Sequence, residues 1–204
     1  MKTIIKHICT VSSLLMMVLI IAGCANTTSS NSSIPVRPSF TITVDGSLPK
    51  FSQSELIQRA DLIVIGTILP DSMSKWNTPT GKLPSNITDA AQIPGGLFIY
   101  THTPIQVESY LKGDIKDTVI MVQTIGGKVD SDQMLTESQP SFEPNQKVLL
   151  FLSNDTVNTK DIPSPHYVLT LGIATTYYIT NDQADSIDGT FKLDDLITTI
   201  SEQK

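Results

Sequence analysis

The sequence predicts a mainly β protein: a small antiparallel barrel with a short helix at each end. Three observations predict it. Thr, Ser, Ile and Val are plentiful, while charged residues make up only 17% of the 204, a composition that suits half-buried strands better than helices. About six segments with strand patterning follow one another without intervening helices, which favours antiparallel pairing. An open sheet of that size leaves edges, and closing it into a barrel removes them.

"FTITVDG" from Phe40 alternates apolar and polar residues and predicts the first strand. "FSQSELIQRA" from Phe51 predicts a short helix. Ser52 and Glu55 stand at capping-box spacing, and Leu56, Ile57 and Ala60 form one apolar face. "DLIVIGTIL" from Asp61 is a nearly continuous β-branched run, too short for a buried helix, and reads as a central strand. Gly66 inside it predicts a bulge or bend.

From Pro70 to Gly96 there are four prolines, three glycines and no clean period. This predicts a long loop, and loops of that length are usually functional or disordered. Trp76, the one tryptophan, falls in it. It is either an exposed contact residue or a cover folded over the core.

"LFIYTHTPIQVESYLKG" from Leu97 predicts a long strand, bent at Pro104, and "DTVIMVQTIGG" from Asp117 predicts its partner across the turn "KGDIKD". Gly126-Gly127 and Gly95-Gly96 read as tight turns with positive φ. "KVLLFLS" from Lys147, "HYVLTLG" from His166 and "TTYYIT" from Thr175 are further strands. In "LDDLITTI" the residues Leu193, Leu196, Ile197 and Ile200 share one face at helical spacing, which predicts a closing amphipathic helix.

The N-terminus reads differently. Lys2 and Lys6 precede the apolar run "ICTVSSLLMMVLIIAG", and small Ala22 and Gly23 precede Cys24. This is a secretory layout. The core from Leu14 to Ala22 falls short of the roughly 20 apolar residues that a membrane span needs. The quartet Ile21-Ala22-Gly23-Cys24 resembles the lipobox of bacterial lipoproteins. The resemblance implies transfer of diacylglycerol to the Cys24 sulfur and cleavage before it. Residues 1–23 are then a lipoprotein signal peptide and 24–38 a flexible tether. Residues 39–204 are a single β-rich domain on the extracytoplasmic face of the cell membrane. "ANTTSSNSSIPVRP" is too polar to order itself, and Pro35 and Pro38 stiffen its end. Two acyl chains on Cys24 give stable membrane attachment.

Removing Lys2 and Lys6 from the 14 basic residues leaves 12 against 20 acidic ones, a balance of −8. An acidic domain repels phosphate backbones, so nucleic acid is not an expected partner. Cys9 leaves with the leader and Cys24 is blocked. The folded part therefore has no thiol, which excludes cysteine nucleophiles, thiolate zinc sites and disulfides.

The order "ADLIVIGTI", "VESYLKG", "IGG", a P-F-E-P segment before "KVLLFL", then "YVLTLG" is similar to that of uncharacterised secreted bacterial domains. More loosely, it resembles netrin-like domains. It covers roughly Ala60 to Gly172. The resemblance implies an OB-type, partly closed barrel. Netrin-like domains usually begin with a cysteine clamp, which is missing here and argues against a protease-inhibitor function. Fold alone supplies no activity.

His102 and His166 are the histidines left after processing, far apart and without metal-ligand spacing. They read as satisfied strand residues more readily than as a two-histidine site completed by a carboxylate. No serine sits in a G-x-S-x-G or S-x-x-K motif. Acidic residues cluster near Asp130 and Asp132 and near Asp155 and Asp161, without the EF-hand pattern that calcium would favour. Glu143 lies in a stiff "QPSFEPNQ" turn with Phe142 beneath it. No pattern calls for a cofactor. The expectation is a lipid-anchored binding or protein-interaction domain without catalysis, with Trp76 and Glu143 as candidate contacts and an envelope protein as partner. The alternative is a cell-envelope hydrolase using His102 or His166. It requires one of them to lie in a cleft beside a serine or a carboxylate.

Overall fold

The computed structural model describes residues 39–44, 46–155 and 166–203. The segment before residue 39, with Cys24, and Asp161 lie outside them. The described chain runs β1 (Thr41–Val44), α1 (Gln53–Arg59), β2 (Leu62–Ile68), β3 (Met73–Trp76), β4 (Ile99–Lys112), β5 (Val119–Ile125), β6 (Gly127–Val129) and β7 (Asp132–Thr136). It continues through β8 (Lys147–Asn154), β9 (His166–Leu169), β10 (Thr176–Thr180), β11 (Gln183–Ser186), β12 (Gly189–Lys192) and α2 (Leu193–Gln203).

Five strands close on themselves. β8 pairs with β2, β2 with β4, β4 with β5, β5 with β9, and β9 returns to β8. In chain order around the ring this is 1-2-3-5-4, an OB-type Greek-key barrel. A ring of five cannot alternate direction all the way round, so one neighbouring pair must be parallel. It is β5 with β9, where Val122 stands beside Tyr167. The ring is complete rather than partly open.

Closure explains the apolar run of β2. Leu62, Val64 and Ile68 point into the barrel with Ile105, Ile120, Val122, Val148, Leu150 and Leu152. Ile63 and Ile65 point outward, where α1 and α2 cover them together with Leu149 and Phe151. Both faces are dry, so alternation disappears from the sequence. The helix layer is fastened by specific groups. Ser52 caps α1 in a full capping box with Glu55. At the other end the Lys112 ammonium donates to the carbonyls of Ile57 (2.7 Å) and Ala60 (2.6 Å), where the helix presents its unpaired acceptors. Leu196 and Ile200 of α2 are buried in the same cluster.

β4 is the long strand that wraps the barrel. Opposite β2 the register slips twice, between Ile63 and Val64 and between Ile65 and Gly66, and these bulges curve the strand. Gly66 faces the second slip, where a Cβ would lie 2.6 Å from the Gln106 carbonyl oxygen. Pro104 falls between the stretch paired with β2, from Ile105, and the stretch paired with β3, up to His102. Its missing N–H breaks no ladder bond there.

The segment Pro70 to Gly96 is not a structureless loop. It supplies β3, which pairs with β4, and a 3-10 turn at Ala90–Gln92. Leu83 and Ile87 fold inward to bury Trp76 with Phe40, Ile99 and Met134. This third cluster sits under a small separate sheet of order β1-β7-β6, in which β1 runs parallel to β7. With β11 and β12 extending β10, the strands number twelve among the described residues rather than about six.

Candidate functional site

The inward faces of β4 and β5 form a cross-strand ladder. Ile105 stands opposite Ile120, Thr103 opposite Val122, and Thr101 opposite Thr124. The barrel interior therefore turns from hydrocarbon to hydroxyl within two rungs. At the hydroxyl end lies an open cavity of about 340 Å³. Ser72 and Ser74 wall it from β3 and the residue before it, and Gly126, Gly127 and Gln133 to Thr136 wall it from the small sheet. The loop Gln139–Phe142 closes the remaining side. Among the described residues that line it, none carries an ionisable side chain.

The hydroxyls are ordered by one another. Thr101 Oγ1 donates to the Gly126 carbonyl at 2.6 Å and lies 2.8 Å from Ser74 Oγ. Ser72 Oγ donates to Thr103 Oγ1 at 3.3 Å. Gly127 makes this close approach possible. It adopts φ +128°, and a Cβ there would fall on the Ser74 and Thr101 hydroxyl oxygens.

On the outward face of the same strands the two histidines meet. His102 Nε2 is 2.8 Å from Gln123 Oε1, Gln123 Nε2 donates to Asp155 Oδ2 at 3.3 Å, and His166 Nε2 is 3.0 Å from that same oxygen. His102 faces Gln123 because β4 pairs with β5 in that register. His166 reaches the relay because closure sets β9 beside β5. Gln123, Asp155 and His166 are buried. Burial holds the His102 imidazole below its ordinary value, and nearby His166 and Lys75 add to this against the opposing Gln123 hydrogen bond. A neutral His102 that donates to Gln123 orients the amide, whose NH₂ then points at Asp155.

His166 thus lies beside a carboxylate, but neither histidine lines the barrel-mouth cavity. Neither is hydrogen-bonded to a serine among the described residues: the nearby Ser153 hydroxyl is paired with Thr170 at 3.0 Å. No group of three His, Cys, Asp or Glu converges to hold a metal among the described residues. Asp132 is buried and accepts from the Phe40 N–H at 3.3 Å, which ties the start of β1 to β7. Asp130 is at the exposed β6–β7 turn, 3.5 Å from Lys82.

Trp76 is 1% exposed, so it is a cover on the core and not a surface contact. Its indole N–H has no hydrogen-bond partner among the described residues. Glu143 opens the turn into β8. Its N–H donates to the Gln146 side-chain oxygen at 3.2 Å, and Asn145 with φ 66° reverses the chain. The residues before it, Gln139 to Phe142, wall the cavity, whereas Glu143 does not. Sequence reading missed the hydroxyls altogether. The signal was present in "THT", where Thr101 and Thr103 occupy the same face as Ile105 and break an otherwise apolar stripe.

A scan against protein-family models and a search of the curated proteins find no match to this chain. The functional reading therefore rests on its own residues.

Proposed function

We propose that this chain is a lipid-anchored extracytoplasmic binding domain without catalysis, and that its ligand enters the mouth of the barrel. The observation that carries this reading is the cavity of about 340 Å³. Its size falls at the low end of the ~300–1,000 Å³ typical of small-molecule sites. A folded barrel has no structural need for a row of inward hydroxyls where Val or Ile would pack, so the row argues for a ligand. Part of the wall is β3, inside the segment Pro70 to Gly96, so the segment's part in binding is through Ser72 and Ser74 rather than through Trp76. Anchoring is supported by the Ile21-Ala22-Gly23-Cys24 motif. No helix among the described residues is long and apolar enough to cross a membrane.

The anchor has a direct test. Cys24→Ser is expected to move the protein from the detergent phase to the aqueous phase on phase separation of whole cells. Unchanged partitioning would sink the lipid anchor. Cross-linking on intact cells, with that variant as control, tests for an envelope protein partner.

A second reading, a cell-envelope hydrolase, is favoured by one observation, the His166–Asp155 pair at 3.0 Å. It needs a nucleophile within reach of a histidine, and the serine hydroxyls of the mouth hydrogen-bond neither of them among the described residues.

A further inference from the structure

We infer that the barrel mouth takes an uncharged, polyhydroxylated ligand, a saccharide in chemical class, and reads it through hydroxyl protons that the ligand donates. This rests on the reading of the mouth as a binding site.

The argument follows the protons. A carbonyl oxygen only accepts, so Thr101 must spend its single hydroxyl proton on Gly126. Toward Ser74, 2.8 Å away, Thr101 is then an acceptor, and Ser74 is the donor. Ser74 has no proton left for the cavity and offers lone pairs alone. Ser72 likewise gives its proton to Thr103. Two residues apart on one side of an extended segment, the two serines hold acceptor oxygens about 7 Å apart. This serine pair therefore favours a ligand with more than one hydrogen-bond donor.

Charge narrows the class. An anion would find no cationic side chain in the lining, and a cation would be desolvated with no carboxylate there. A neutral polyol satisfies both constraints. Its hydroxyls meet Ser72 and Ser74, and its C–H face meets Met134, Leu135 and Phe142 across the cavity. Thr124 is a further point of contact. It is 6% exposed, lines the cavity, and its hydroxyl has no partner among the described residues. That hydroxyl can donate, which suits a sugar oxygen that accepts.

The test uses the full chain in a detergent without a sugar headgroup. Backbone amide resonances of Ser74, Thr101 and Thr124 are followed by NMR during titration. The probes are glucose, N-acetylglucosamine, maltose and cellobiose, permethylated maltose, and glucuronate and glucosamine as charged controls. The expected result is that at least one neutral sugar shifts the mouth amides while permethylated maltose, which keeps acceptors and has no donors, does not. Ser74→Ala is expected to weaken that binding about three- to tenfold. Thr101→Val releases the Ser74 proton toward the cavity, so it is expected to let permethylated maltose bind. Better binding of either charged control, or equal binding of the permethylated sugar to the wild type, would overturn the ligand class and leave the mouth a binding site. Silence of the mouth amides toward every probe would overturn the site itself.

Discussion

The two ends of one barrel differ more than its two faces do. At the inner end Ile105 and Ile120, both fully buried, meet across the β4–β5 ladder. Two rungs away, on the same strands and the same side, Thr101 meets Thr124. Backbone geometry is continuous between them, so the change belongs to the side chains. Threonine and valine have nearly the same shape and β-propensity, and both fit a pleated, half-buried surface. A hydroxyl turned inward costs burial energy unless it is hydrogen-bonded. The inner end thus supplies stability. The outer end gives some of it up to hold a row of acceptors in fixed positions.

The largest expected effect breaks the comparison open. Leu150→Ala empties part of the inner end, where Leu150 is fully buried, and is expected to lower unfolding free energy by about 2–5 kcal/mol in a denaturant titration. Thr103→Val keeps volume at the outer end and is expected to change stability by about 1 kcal/mol or less, and, by freeing the Ser72 proton toward the cavity, to let permethylated maltose bind as Thr101→Val does. A Thr103→Val variant as unstable as Leu150→Ala would make the hydroxyls structural and erase the distinction between the ends.

A smaller effect concerns how the ring closes. At Gly66 a new Cβ would meet the Gln106 carbonyl oxygen at 2.6 Å and Ile105 Cγ2 at 2.7 Å. The first is backbone and cannot rotate away, so Gly66→Ala is expected to cost about 1–3 kcal/mol. An unchanged denaturation midpoint would mean that the bulged strand β4 has slack, and that the register slips are not what seats β2.

Much of the inner end was legible in the sequence, and little of the outer end was. β2 and β8 announce themselves because they are buried on both sides, and α1 because Ser52 and Glu55 carry its cap. β3 was hidden because of its four residues only Trp76 is buried, which leaves no period to read. β11 and β12 were hidden for the same reason: Ala184 alone is fully inside, with Phe191 packed beside it. Trp76 was undecidable locally, since what covers it includes Leu83 and Ile87 from its own supposed loop. The meeting of His102 with His166 depends on the parallel β5–β9 register, and that register is fixed by ring closure and not by any neighbouring residue.

The histidine relay gives the smallest effect and the finest comparison, because it backs the hydroxyl end of β4 from outside. His102 in the folded chain is held below the ordinary 6.5, so well above that value it is unprotonated in both the folded and the unfolded chain. As pH falls through about 6.5 the unfolded chain takes up a proton first, and stability declines with it until the folded imidazole titrates as well. The contribution is therefore full above the unfolded value and lost as pH falls through the lowered folded one. Glu55 is held below 4.5 by hydrogen bonds from Ser52, and Glu108 by those from Lys147 and Thr67, so their losses come at lower pH. Urea midpoints measured between about pH 7.5 and 5 should fall for the wild type and fall less for His102→Gln, which keeps a hydrogen-bonding group and has no proton to gain. If binding at the mouth weakens over the same window in the wild type and not in the variant, the two faces of β4 are coupled through the strand. If binding holds steady while stability falls, the relay is a fastening for β4, β5 and β9, and the hydroxyl row acts independently of it.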